Sequence, residues 1–285
     1  MQQSLLGRII QFAAHNDAVS ALILVGSRAR EENPADAYSD TDLIMVAEDA
    51  AYFVASDSWL EEIGNFHISF SEPTVDGQKE RRVLFDDAQD VDFVILEKEA
   101  AVRALVSGEA AGILANGYRV LVNKTGLQLP PPVPAAVFIP ATEADFCNTV
   151  NDFWYHTVWT AKKLLRHELW TAKFCVDMYL KWKLLWIIEQ YEHTVRRSGR
   201  YTWYRGRFIE RWAANDILAD LQSTFAHYDP ADMAKALIQT MALFRRLSVA
   251  VAEASGFAYP AHADEYATKW VLSSLAPLIK EGDAL

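Results

Sequence analysis

Cysteine is scarce: 285 residues hold two, Cys147 and Cys175. Two thiols make no disulfide scaffold and neither sits at metal-ligand spacing, so both are expected as buried structural thiols. Long hydrophobic runs are also missing. No stretch reaches the roughly 18 apolar residues that a membrane-spanning helix needs, so no membrane partner is expected. The opening Met1-Gln2-Gln3-Ser4 has no basic region and no apolar core before a cleavage site, which makes a cytoplasmic location the expectation. Positive charge is the third shortage. Lys and Arg number 27 against 38 Asp and Glu, a net charge of −11. Residues 1–130 hold 21 acids and 10 basic residues, while 131–285 hold 17 of each, so the whole deficit lies in the first half. Such a field attracts cations and repels polyanions, the reverse of the balance in nucleic-acid binders, so no nucleic-acid partner is expected.

What is plentiful is apolar and aromatic surface. Hydrophobic residues make up 51% of the chain, and there are nine Trp and 14 Phe, enough for a large core in one or two domains. The patterning predicts a helix over 2–14, a strand over 20–25, a polar loop over 29–39 and a strand over 42–47. A helix over 49–63, strands over 66–70 and 81–85 (the latter at an edge), a strand over 91–96 and a helix over 97–107 follow. Five prolines between 126 and 140 exclude a helix or a central strand there and set the domain boundary, 1–135 against 136–285. Beyond it the period is helical, with helices over 141–169, 172–193, 205–222, 231–254 and 262–279. Thr142 and Asp229-Pro230 are start signals, and Gly256 is a stop. Eight of the nine Trp fall in this half, most of them as core.

The chemistry concentrates in residues 20–46. An apolar run, Ala21 to Val25, ends at Gly26-Ser27, a turn that frees backbone N–H groups. A second run, Leu43 to Val46, follows directly on Asp40 and Asp42. Carboxylates two apart on an extended chain share a face, and two like charges so close call for a cation between them. Oxygen ligands suit Mg2+, which needs one or two carboxylates plus substrate phosphates. Asp90-Val91-Asp92 opens a further run, Phe93 to Leu96. If the strands of Leu43 and Phe93 are neighbours, Asp92 lies beside Asp40 and Asp42. A phosphate turn, a metal pair and a third carboxylate together make a nucleotidyl-transfer site.

On these marks the chain resembles the aminoglycoside 6-adenylyltransferases, also called streptomycin adenylyltransferases, within the nucleotidyltransferase superfamily. The N-terminal marks are Gly26-Ser27-Arg28, Asp40-Thr41-Asp42 and Asp90-Val91-Asp92. The helical half adds Asp145-Phe146-Cys147-Asn148, Phe153-Trp154, Ala161 to Glu168, Leu184 to Ile188, and Met241 to Arg245. Where the family usually has a Gly-Lys turn, this chain has Ser198-Gly199-Arg200, with Tyr201 to Arg207 following. The resemblance implies a nucleotidyltransferase-like α/β domain with a mixed sheet, followed by a helical bundle that binds substrate. It implies transfer of AMP from ATP to an aminoglycoside hydroxyl, typically the 6-hydroxyl of streptomycin, with Mg2+ as cofactor. On that basis Asp40, Asp42 and Asp92 are metal ligands, with Asp92 either sharing a metal or accepting the hydroxyl proton. Gly26, Ser27, Arg28 and Arg200 face the nucleotide, Arg28 serving as a clamp or in a structural ion pair. Asp145, Asp152, Glu168 and Asp177 are the candidate acids for a cationic acceptor. The expected assembly is a monomer or homodimer. Two other readings compete: transfer to a different hydroxyl acceptor, and a non-catalytic relative that binds nucleotide.

Overall fold

The computed structural model describes residues 3–30, 35–74, 77–106, 114, 117–131 and 138–282. The chain separates into two compact units, Met1–Ala135 and Ala136–Leu285. Parts of the 29–39 loop and of the proline-rich stretch, and the last residue of the helix expected over 97–107, lie outside the described residues.

The first unit begins with α1 (Leu5–His15), whose first turn is capped by Ser4: its hydroxyl accepts the Gly7 N–H. Leu5, Ile9, Phe12 and Ala13 form its buried stripe. There follow β1 (Val19–Leu24), β2 (Thr41–Ala47), α2 (Ala50–Ala55), β3 (Phe66–Pro73), β4 (Lys79–Phe85), β5 (Gln89–Glu97), the single turn α3 (Lys98–Ala101) and β6 (Arg119–Asn123). The strands form one mixed sheet in the order β3-β4-β5-β2-β1-β6, in which β2 and β5 run parallel and the other pairs antiparallel.

Side chains alternate across this sheet. Leu43 and Met45 of β2 and Val91, Phe93 and Ile95 of β5 pack against α1 and Trp59. The Trp59 ring stacks on Phe12 at 5.5 Å and meets Phe93 edge-on at 5.1 Å. The opposite face carries Ile44, Val46 and Leu96, covered by Ala101, Leu105 and Leu114. Asp42 and Asp92 belong to this second face by the same alternation, at the start of each apolar run.

Local chemistry redraws some expected elements. The helix expected over 49–63 stops at Ala55, because Ser56 turns extended and its carbonyl takes the Trp59 indole N–H; a 3-10 stretch, Ser58–Glu62, follows. The expected edge strand is the interior β4, and β3 is the edge. Arg81 can be buried in β4 because its guanidinium donates to the Phe53 and Val54 carbonyls and to the Ser69 hydroxyl. The helix expected over 97–107 is α3 followed by a π-helical turn, Val102–Val106. Strand β6, which the patterning did not reveal, pairs with β1.

The second unit is helical: α4 (Glu143–Leu165), α5 (Leu169–Phe174), α6 (Leu180–Thr194), α7 (Ile209–Trp212), α8 (Asn215–Gln222), α9 (Pro230–Ser255) and α10 (Ala261–Gly282). A π-helical turn, Cys175–Tyr179, joins α5 to α6. The helix expected over 205–222 is divided into α7 and α8, because Phe208 is left-handed at φ 57 and Ala213 and Ala214 are extended. Thr142 and Asp145 form a reciprocal capping box on α4, and Asp229 caps α9. Gly256, at φ 72, ends α9. In the core the Phe153 ring lies flat on Phe244 at 3.6 Å, with Trp154 edge-on to both. Trp154 and Trp212 are buried, whereas Trp170 and Trp182 are exposed. Among the described residues no helix is long and apolar enough to cross a membrane.

Candidate active site

The site grows from the end of β1. The Val25 N–H donates to the Asp42 carbonyl at 3.0 Å, which ties the Gly26-Ser27 turn to the start of β2. Gly26 sits at φ +68, and a Cβ there would stand 1.8 Å from Asp42 Oδ2. Only glycine leaves that carboxylate its place. The Ser27 hydroxyl is buried and has no hydrogen-bond partner among the described residues. A buried hydroxyl without a partner costs free energy, so it fits an arriving phosphate oxygen.

Arg28 does not face outward as a free clamp. Its Nε donates to the Asp40 carbonyl at 2.9 Å and a terminal nitrogen to the Ser39 carbonyl at 2.6 Å, which fixes the backbone that feeds Asp40 into the site. The Arg28 carbonyl in turn accepts from Arg119 of β6 at 2.9 Å.

The parallel pairing of β2 and β5 sets Asp42 directly opposite Asp92 and Leu43 opposite Phe93. One oxygen from each of Asp40, Asp42 and Asp92 lies within 4.8 Å of the others. An all-oxygen set of this size could hold a hard divalent cation. Burial pushes the Asp92 carboxyl up to about 7; Arg82 opposes the rise, and Glu80, Asp42 and Asp40 add to it. A cation held by the three would replace that proton.

Across β5 from the cluster stands Arg82, the register partner of Asp92 on β4. One terminal nitrogen lies 3.2 Å from Asp92 Oδ2, while Nε lies 2.9 Å from Glu72 and 3.0 Å from Glu80. Neither Arg82 nor these two glutamates was singled out from the sequence. The signal available was the Lys79-Glu80-Arg81-Arg82 run shortly before Asp90-Val91-Asp92.

A family model described as streptomycin adenylyltransferase matches residues 1–273. The chain belongs to that family. It is 24% identical over 285 residues to the aminoglycoside 6-adenylyltransferase of Bacillus subtilis (strain 168), covering 94% of this chain and 96% of that protein. It is 23% identical over 278 residues to the enzyme of the same description from Campylobacter jejuni, with 93% and 92% coverage. A crystal structure of an aminoglycoside 6-adenyltransferase from Bacillus subtilis is similar over 95% of this chain and 97% of that one, at 21% identity and a TM-score of 0.45.

The other residues singled out from this family member's sequence lie in the second unit, each already engaged. Asp145 completes the α4 capping box, accepting from the Thr142 hydroxyl at 2.6 Å. Asp152 accepts from Tyr179 at 2.9 Å and pairs with Lys183 at 2.5 Å and His156 at 2.6 Å. Burial would raise its carboxyl, but the bonds from Lys183 and Tyr179 outweigh that and hold it low. Glu168 pairs with Lys163 at 2.7 Å and Arg166 at 2.8 Å. Asp177 pairs with Lys173 one helical turn earlier, though its Oδ1 is buried without a partner among the described residues. Arg200 donates to the Arg211 carbonyl at 3.0 Å. Of the eleven candidates, the structure brings together Gly26, Ser27, Arg28, Asp40, Asp42 and Asp92 in the first unit.

Proposed function

We propose that this chain transfers AMP from ATP to a hydroxyl of an aminoglycoside, specifically the 6-hydroxyl of streptomycin, with Mg2+ bound by Asp40, Asp42 and Asp92. The observation that carries the reading is the register of β2 against β5, which puts Asp42 opposite Asp92 beside the Gly26-Ser27 turn. The acceptor is taken from the descriptions of the family and its relatives.

In this reaction the acceptor oxygen bonds to the α-phosphorus of ATP, the bond from that phosphorus to the β-bridging oxygen breaks, and pyrophosphate leaves. The chain's work is positioning and charge stabilisation, as in phosphoryl transfer generally. Gly26 lets the backbone approach the phosphates, and the buried Ser27 hydroxyl donates to one of their oxygens. Asp92 accepts the hydroxyl proton, or shares a metal, from the strand on the other side of β2. Bound Mg2+ supplies neutralisation of the triphosphate charge. The net −11 of residues 1–130 draws a cationic small molecule rather than a nucleic acid. A cytoplasmic monomer or homodimer completes the proposal.

The test is incubation with ATP, Mg2+ and a panel of aminoglycosides, with pyrophosphate release and product mass read together. Streptomycin should be adenylylated and kanamycin should react poorly, with kcat/KM falling as salt screens the acidic field. Kanamycin reacting as fast as streptomycin overturns the acceptor. Mg2+-dependent use of ATP without an aminoglycoside product favours another hydroxyl acceptor, and no ATP use at all favours the nucleotide-binding relative.

A further inference from the structure

Phe70, Arg82, Asp92 and Asp42 stand side by side across β3, β4, β5 and β2, each the register partner of the next. Directly opposed residues share a face, so Arg82 belongs to the surface that carries the three aspartates. The Gly26-Ser27 turn leaves β1, on the far side of β2 from β5. The phosphate turn and Arg82 therefore flank the aspartates on opposite sides. In-line displacement puts leaving group and incoming hydroxyl on opposite sides of the α-phosphorus. Arg82 thus lies on the side from which the acceptor hydroxyl arrives.

Asp92 is pulled from two directions. Asp40 and Asp42 crowd one side of it, and a cation among the three would draw both of its oxygens inward. On the other side the Arg82 guanidinium holds Oδ2 at 3.2 Å. Arg82 is itself held through Nε, by Glu80 at 3.0 Å from two residues away on its own strand and by Glu72 at 2.9 Å. Glu72 and Glu80 are register partners across β3 and β4, and Glu80 is buried. The fork of a guanidinium reaches several carboxylates at once, which an ammonium cannot do in the same plane.

We propose, building on the transfer reaction above, that Arg82 is a positioning residue which divides the two oxygens of Asp92. One oxygen stays with the metal pair, and the other is kept on the acceptor side, facing the hydroxyl whose proton it takes. Without Arg82 both oxygens collapse onto the metal. Glu72 and Glu80 serve by aiming Arg82.

This division gives a signature of opposite signs. Arg82→Gln removes a positive charge beside the metal site and frees the second oxygen, so Mn2+ alone, followed by its paramagnetic resonance signal, should bind about 3- to 10-fold tighter. The same change should lower kcat for AMP transfer by about 10- to 100-fold through misplacement of Asp92. KM for ATP should stay within about twofold, since the phosphate turn is on the other flank. Arg82→Lys, which keeps the charge and loses the fork, should return the Mn2+ affinity to near the wild-type value and recover kcat in part. Circular dichroism and a thermal melt establish that each variant is folded. Unchanged or weaker Mn2+ binding in folded Arg82→Gln overturns the inference, as does a kcat within about twofold of wild type. If the wild-type chain transfers AMP to no acceptor, the function proposed above fails, and the Mn2+ measurement decides the role of Arg82 alone.

Discussion

Replacing Gly26 with alanine should disable the site through a single methyl group. The residue sits at φ +68, where a Cβ costs roughly 1–2 kcal/mol. The added Cβ would also lie 1.8 Å from Asp42 Oδ2, 2.6 Å from its Cγ and 3.0 Å from its Cβ. The Cβ contact asks the strand to give by a few tenths of an ångström, and clearing the other two swings the carboxylate oxygen away by on the order of 1 Å. A displacement of that size at a reacting centre costs about 10²-fold in rate. The strain should lower the melting temperature by roughly 3–6 °C. Gly77→Ala is the internal control. Gly77 sits at φ +78 with nothing among the described residues within 4 Å of an added Cβ, so it carries the backbone cost without the collision. Both variants should melt early, and only Gly26→Ala should lose Mn2+ binding and AMP transfer. A Gly26→Ala chain that binds Mn2+ and turns over like wild type would refute the reasoning, as would equal site damage in Gly77→Ala.

Asp40→Asn and Asp42→Asn should each remain folded by circular dichroism and lose at least about 10²-fold in AMP transfer, because shape is kept while the charge that holds the cation is removed; near-normal rates at saturating Mg2+ would sink the assignment. Because a proton competes with a cation for Asp92, whose carboxyl burial lifts to about 7, Mn2+ affinity of the free chain should fall as pH drops through that value, and a flat affinity across it would contradict the geometry. In the metal-free chain the same carboxyl loses its proton near 3.8 when unfolded and near 7 when folded, so its contribution makes stability fall as pH rises between those values, which thermal melts across that window check. Arg245→Ala removes the partner of Asp264, which is 8% exposed and also accepts from Tyr259 at 2.7 Å and Thr268 at 2.9 Å. It should cost about 2 kcal/mol in urea unfolding, less than a fully buried pair because the guanidinium is partly solvated.

The aspartate cluster was legible in sequence because Asp42 and Asp92 each stand directly before a continuous apolar run, with Asp40 two residues ahead of Asp42. A run of that kind is a buried strand, and alternation then fixes which face the aspartate takes. Arg82 was not legible, since its meaning depends on β4 lying between β3 and β5, and strand order is a non-local property. Two adjacent arginines read locally as a solvated edge, yet Arg81 is buried on three oxygen acceptors while Arg82 faces the aspartates. Strand β6 was hidden by its length, five residues with polar ends. The ion pair of Asp177 could have been read from sequence, because Lys173 stands four residues before it, whereas that of Glu168 with Lys163 forms across the break between α4 and α5. The partners of Asp152 were not legible in the same way, as Lys183 and Tyr179 reach it from outside its own helix.

The parallel pairing of β2 with β5 also bears on how the first unit folds. Its partners are separated by 50 residues, Thr41 against Val91 through Ala47 against Glu97, and β4 must lie against the outer side of β5 to complete the sheet there. Contacts of such long range form slowly, after local hairpins such as β3–β4. A one-residue slip would send Asp92 to the face covered by Trp59. If Asp40, Asp42 and Asp92 hold the cation as proposed, metal affinity arises late in refolding and in one register alone, and the appearance of bound Mn2+ in a stopped-flow experiment would time the arrival of β5.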